Sequence, residues 1–75
     1  MYKERIEINP KILLGKPVIK GTRIPVYLIL DLLAERKTFE DVLKTYPDLE
    51  GEDIYAALHF AGELAKYEEE LITTS

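Results

Sequence analysis

The segment that most narrows the fold follows Pro25: residues 26–35, Val-Tyr-Leu-Ile-Leu-Asp-Leu-Leu-Ala-Glu, are apolar at nearly every position and are broken only by Asp31 and Glu35. Such a run is far shorter than the roughly 18 apolar residues that would suggest a membrane span. A helix that is apolar all round is normally the buried centre of a domain, so the remaining elements are expected to wrap around it. Pro25 suits the first helical position, where its fixed φ matches the helix and its missing N–H would have had no partner.

The chain on either side supplies those elements. Ile6 and Ile8 alternate with Glu7 ahead of Asn9-Pro10, the pattern of a short strand ending in a turn. Lys16-Pro17-Val18-Ile19-Lys20, bracketed by Gly15 and Gly21, is a second β-branched run able to pair with the first, with Pro17 placed at an edge or strand start. Thr38-Phe39-Glu40-Asp41 has the form of a capping box and predicts a second helix to about Tyr46, stopped by Pro47. A turn through Asp48–Asp53 leads to a last helix, Glu52 to about Leu71, with Thr73-Thr74-Ser75 as a frayed end. Its residues Ile54, Ala57, Leu58, Ala61, Leu64 and Ala65 form a stripe directed at the core. Ala56, Phe60 and Tyr67 widen the apolar arc to about half the circumference, more than a surface helix needs. The expected fold is mainly α: a three-helix, helix-turn-helix-like bundle with a short N-terminal β ribbon. One domain spans residues 1–75, with 1–24 as a basic ribbon or arm and 25–72 as the helical body.

Seventy-five residues leave no room for a separate catalytic module. A domain of this size buries only about 60% of its unfolded surface, so a homodimer or a stable complex is expected. The chain has no cysteine, hence no disulfide, thiolate nucleophile or thiolate metal ligand. No signal peptide follows Met1–Arg5, and the expected location is the cytoplasm without membrane association. The acids show no convergent pair, and the single histidine, His59, lies on the polar side of the last helix near Tyr55 and Glu63. The expectation is therefore no enzyme, no cofactor and no metal.

Charge is unevenly placed. Up to Arg23, Lys3, Arg5, Lys11, Lys16, Lys20 and Arg23 face only Glu4 and Glu7, whereas the rest sets Arg36, Lys37, Lys44 and Lys66 against twelve acids. A basic head thus precedes an acidic body. The early outward positions of the last helix would be Glu52, Asp53, Tyr55 and His59, with Lys66 its one cation. Carboxylates there repel a DNA backbone, so any nucleic-acid contact is expected from the head.

The stretch Gly15-Lys16-Pro17-Val18-Ile19-Lys20-Gly21-Thr22-Arg23-Ile24-Pro25-Val26, with the Tyr46-Pro47-Asp48-Leu49 turn and the Asp53-Ile54-x-Ala56-Ala57-Leu58 helix start, resembles the bacterial and archaeal family of domains of unknown function numbered 433. The resemblance covers almost the whole chain. It implies a homeodomain-like helix-turn-helix class and an antitoxin role, in which the chain neutralises a PIN-like ribonuclease toxin and can bind operator DNA. Two positions depart from the family pattern: Arg36 stands where a glycine usually closes the first helix, and Phe39 where a proline or small residue often opens the second. The turn at Arg36 is therefore expected to be built differently.

Candidate contact residues follow. Lys16, Lys20, Thr22 and Arg23 can contact nucleic acid or a partner's carboxylates; equally, Gly21 can serve only a positive φ, Thr22 a local amide and Arg23 an internal acid. Phe60 and Tyr67 are the candidate interface, with extra core under the ribbon as the alternative. Glu68-Glu69-Glu70 can draw in a basic partner or simply be solvated. Two functions emerge: an antitoxin with optional DNA binding, or a protein-interaction and dimerisation module that binds no DNA.

Overall fold

The computed structural model describes the backbone of residues 2–74 and the side chains of residues 3–68. It is mainly helical, as expected, with a two-stranded antiparallel hairpin ahead of three helices. The strands are short: β1 (Ile6–Glu7) pairs with β2 (Val18–Ile19) in the register Ile6 to Ile19 and Glu7 to Val18. A 3-10 turn at Tyr2–Glu4 precedes β1 and packs on the third helix.

Two left-handed stretches shape the ribbon. Leu13, Leu14 and Gly15 all have positive φ, at 48°, 58° and 84°, and the two leucines adopt it without glycine's freedom. Gly21, at φ 83°, turns the chain out of β2, and the Thr22 hydroxyl completes that turn by donating to the Ile19 carbonyl at 2.7 Å while accepting the Ile24 N–H at 3.0 Å. The local reading of Gly21 and Thr22 therefore accounts for both residues.

Helix α1 (Val26–Ala34) begins one residue later than expected, because Pro25 keeps an extended ψ of 144° and serves as the N-cap. Its end corrects the expectation for Arg36. The Arg36 N–H bonds the Leu33 carbonyl and the Lys37 N–H bonds the Leu32 carbonyl, each at 3.0 Å, which is a Schellman motif with Arg36 itself left-handed at φ 69°. The turn is the usual one, built on an unfavourable residue. Burial of α1 is also less than its composition predicted. Val26 and Ile29 are buried, whereas Leu28, Leu30, Leu32 and Leu33 are only half-buried and Tyr27 is exposed. Three helices and a ribbon are too few to enclose every face of it.

Helix α2 (Phe39–Thr45) has the expected capping box: the Asp41 N–H donates to Thr38 Oγ1 at 3.1 Å, and the Thr38 N–H donates to Asp41 Oδ2 at 2.9 Å. Those hydrogen bonds, the backbone one foremost, hold the Asp41 carboxyl below its ordinary pKa. Phe39, at the first position of α2, meets Tyr55 edge-on at 5.1 Å, which gives the departure from the family pattern a packing role between α2 and α3.

Helix α3 (Gly51–Thr74) is longer than expected, and Thr73 and Thr74 are helical where fraying was anticipated; Ser75 lies outside the described residues. Ile54, Ala56 and Ala57 are buried in a core shared with Ile19, Val26, Ile29, Val42 and Leu49. The stripe expected to continue inward does not. Leu58 is exposed although it lies between buried Ala57 and core-packed Phe60, and further on Leu64 and Ala65 are exposed and Ala61 only half-buried, where α3 outruns the elements that could cover it. The molecule is accordingly elongated, 43 × 31 × 21 Å. None of the described helices is long and apolar enough to cross a membrane.

Candidate partner-docking surface

An apolar groove of about 420 Å³ runs between α1 and α3, walled by Val26, Tyr27 and Leu30 on one side and Phe60, Ala61 and Leu64 on the other, with Lys16 and Pro17 at its mouth. The spacing of both walls explains it: 26, 27 and 30 share one face of α1, and 60, 61 and 64 share one face of α3. Tyr27 is 47% exposed and Leu64 53% exposed. Tyr67, one turn beyond Leu64, is 59% exposed and prolongs the wall. At the mouth the ammonium of Lys16 sits 5.1 Å above the Tyr27 ring. A smaller hollow of about 230 Å³, lined by Leu13, Leu14, Lys16, Pro25 and Tyr27, continues the surface onto the ribbon, where Leu14 is 95% exposed. Of the candidate contact residues, Phe60 and Lys16 line the groove, Phe60 also packing against the core, and Tyr67 lies beyond its lining on α3.

The other expected contact residues are not gathered with these. Thr22 is half-buried and occupied in its own turn. Lys20 faces a polar hollow of about 450 Å³ shared with Glu4, Arg5, Gly21, Asp48, Glu50 and Asp53. Arg23 is exposed and lines neither the groove nor that hollow. The basic head of the sequence is therefore dispersed over the surface. Arg5, one of its cations, is tied down: its Nη1 lies 3.0 Å from both Glu50 Oε1 and Asp53 Oδ1, and the two carboxylates, Glu50 first, raise its pKa.

That ion pair corrects the placement of Asp53 as an outward position of the last helix. Asp53 is buried, 6% exposed, and its Oδ2 accepts the Glu50 N–H at 2.8 Å, which satisfies a first-turn donor of α3. Glu52, Tyr55 and His59 are exposed, and His59 Nε2 lies 3.5 Å from Glu63 Oε1. Among the described residues no group of three His, Asp or Glu side chains converges on a possible metal position. Of Glu68-Glu69-Glu70, only Glu68 has a described side chain, and it is exposed.

Sequence reasoning missed Leu13, Leu14 and Tyr27 as surface residues and half-buried Leu30 as a groove wall, and it placed Leu64 in the core. For the leucine pair a signal existed: two apolar residues between Asn9-Pro10 and Gly15 lie outside any periodic element. Tyr27 and Leu30 carried none, because an all-apolar helix does not reveal which face stays uncovered.

Fold and groove together define a small helical domain whose distinctive feature is an open apolar cleft between its first and last helices. The chain belongs to a family described as "Protein of unknown function (DUF433)", whose model matches residues 6–61. It is similar to the uncharacterized protein y4eO of Sinorhizobium fredii, 37% identical over 59 residues that cover 79% of this chain and 27% of that protein. An uncharacterized protein of Archaeoglobus fulgidus is 65% identical over 23 residues, 31% of this chain and 64% of that one. The chain thus spans about a quarter of the first of these relatives and just under two thirds of the second. The crystal structure of a DUF433 member protein from Anabaena variabilis superposes with a TM-score of 0.76 at 29% identity, covering 92% of this chain and 68% of that one. The matched residues end at Ala61, where α3 leaves the core, so Leu64 and Tyr67 lie beyond the family match.

Proposed function

We propose that this chain is a binding protein and not an enzyme, and that it acts as the antitoxin of a pair by holding a ribonuclease toxin against its folded domain. The observation that carries the binding role is the open apolar groove: Tyr27, Leu64 and Tyr67 are large side chains that a monomer gains nothing by exposing together. The antitoxin assignment adds the resemblance carried by the Gly15–Val26 stretch. Arg23 suits neutralisation of a metal-dependent nuclease, since it is exposed and makes no ion pair with another described residue, leaving its guanidinium for carboxylates of a cation-binding cleft.

Helices α2 and α3 are joined by a short turn, yet reading of a DNA major groove by α3 is disfavoured. Its first turn holds Glu52 outward and Asp53 buried against Arg5, and no lysine or arginine precedes Lys66 on it. This favours protein binding over operator recognition.

Co-expression with the product of the gene next to its own tests the reading. A complex that co-purifies, with the partner's ribonuclease activity suppressed and restored when Arg23→Ala replaces the parent chain, is the expected result. A chain that elutes alone contradicts it.

A further inference from the structure

From the charges that border the groove we infer that its occupant is a basic amphipathic helix of a partner protein; this deepens the binding role proposed above and rests on it. Among the described residues no acid lines the groove itself, but by helical spacing each wall is followed by one a turn further on. Asp31 lies four residues beyond Tyr27 on α1, Glu68 lies four beyond Leu64 on α3, and both are exposed. Glu63, three residues beyond Phe60 on the flank of α3, has its Oε1 3.5 Å from His59 Nε2. Lys66, the single lysine or arginine of α3, lies two residues beyond Leu64 and so on the opposite side of the helix. Among the described residues Lys16 is the one cation lining the groove, and it is engaged with Tyr27.

A helix fits this cleft better than an extended strand. Its walls are themselves helices with apolar positions at i, i+3 and i+4 spacing, and a third helix can set its own ridge into the groove between them. Leucine-like side chains would meet Tyr27, Leu30 and Leu64, while flanking lysines or arginines would meet Asp31, Glu63 and Glu68. A second copy of this chain fits worse, because α3 laid into the groove of its twin would bring Glu63 and Glu68 towards acids of the same sign.

The test uses two labelled synthetic peptides of about 18 residues, each with leucines on one helical face, one flanked by lysines and its twin by glutamates, titrated against the whole chain by fluorescence anisotropy. The lysine peptide is expected to bind roughly tenfold or more tightly than its twin, with an affinity that falls as salt rises. Leu64→Lys and Tyr27→Lys, at exposed positions, should each weaken it roughly tenfold or more. Glu68→Lys leaves the apolar wall intact and should weaken the lysine peptide while strengthening the glutamate one, an outcome that loss of fold cannot mimic. Equal affinity for the two peptides, or binding of neither, overturns the inference. A chain that elutes at twice its mass, with Leu64→Lys eluting as a monomer, also overturns it, since a second copy then fills the groove. In both cases capture of the neighbouring gene product would leave the binding role standing on another face. Failure of that capture with the lysine peptide still bound would remove the toxin and keep the groove.

Discussion

Arg5 Nη1 lies 3.0 Å from Asp53 Oδ1, while the other oxygen of the same carboxylate takes the Glu50 N–H at 2.8 Å. A single buried side chain therefore both caps α3 and ties the N-terminal arm to it, fixing the start of the helix that forms one wall of the groove. Removing the carboxylate should be felt at both ends. Asp53→Ala is expected to destabilise the fold by about 1–3 kcal/mol in urea denaturation, and Asp53→Asn, which keeps an oxygen for the Glu50 N–H, by less. Parent-like stability of Asp53→Ala would show that the arm is held by packing alone.

Arg36 is the residue least suited to its backbone. A left-handed φ of 69° is adopted at little cost by glycine and costs other residues about 1–2 kcal/mol. Arg36→Gly should raise stability by about 1 kcal/mol, part of the gain being offset by the greater freedom of glycine in the unfolded chain. The midpoint of thermal unfolding would rise by about 4–8 °C. An unchanged or lower midpoint would mean that Arg36 makes contacts that matter more than its φ.

The capping box of α2 gives a stability term with a defined pH dependence. The folded-state pKa of Asp41 is depressed, so the ionised box stabilises the fold fully above the ordinary carboxyl range and loses that contribution as pH falls through the depressed value. The gap in melting temperature between the parent and Asp41→Asn should therefore be widest near neutral pH and close as the solution is acidified. A gap that widens on acidification has the wrong sign for this arrangement. Thr38→Ala, which removes the hydroxyl partner, should cost about 1 kcal/mol at neutral pH.

Core and groove residues should separate cleanly. Ile29 is fully buried, and Ile29→Ala is expected to cost about 2–5 kcal/mol, enough to unfold much of a small domain. Leu64→Ala, at an exposed position of comparable size, should shift stability by no more than about 0.5 kcal/mol. Equal effects of the two in parallel denaturation curves would place Leu64 in the core after all.

Local chemistry made much of this fold legible. The Thr38–Asp41 box, the stop at Pro47 and the pairing of the Ile6 and Val18 segments depend on neighbours in sequence, and they form as expected. Charge and apolar periodicity served less well wherever the outcome depended on what lies opposite. Asp53 reads as an outward acid on a helical wheel, yet its partner is Arg5, 48 positions away. Leu58 and Leu64 continue a core stripe by spacing, but Leu58 lies on an uncovered face beside buried Ala57, and Leu64 lies past the buried part of α3. The candidate site follows the same division. Phe60 and Tyr67 stood out because their arc was wider than one surface helix needs, whereas Tyr27 and Leu30 were hidden in a helix that offered no polar face by which to orient it. The cluster of cations in the first 23 residues was visible in sequence, and its dispersal among a cation–π contact, an ion pair and open surface was not.

A partner protein seated in the groove between α1 and α3 would have to touch Leu64. The most direct measurement is the affinity of the neighbouring gene product for the parent chain and for Leu64→Lys, with circular dichroism and melting temperature recorded for both. Unchanged folding and an affinity lowered roughly tenfold or more by the substitution are expected. Equal affinities with both chains folded would contradict that placement and move the binding surface away from α1 and α3.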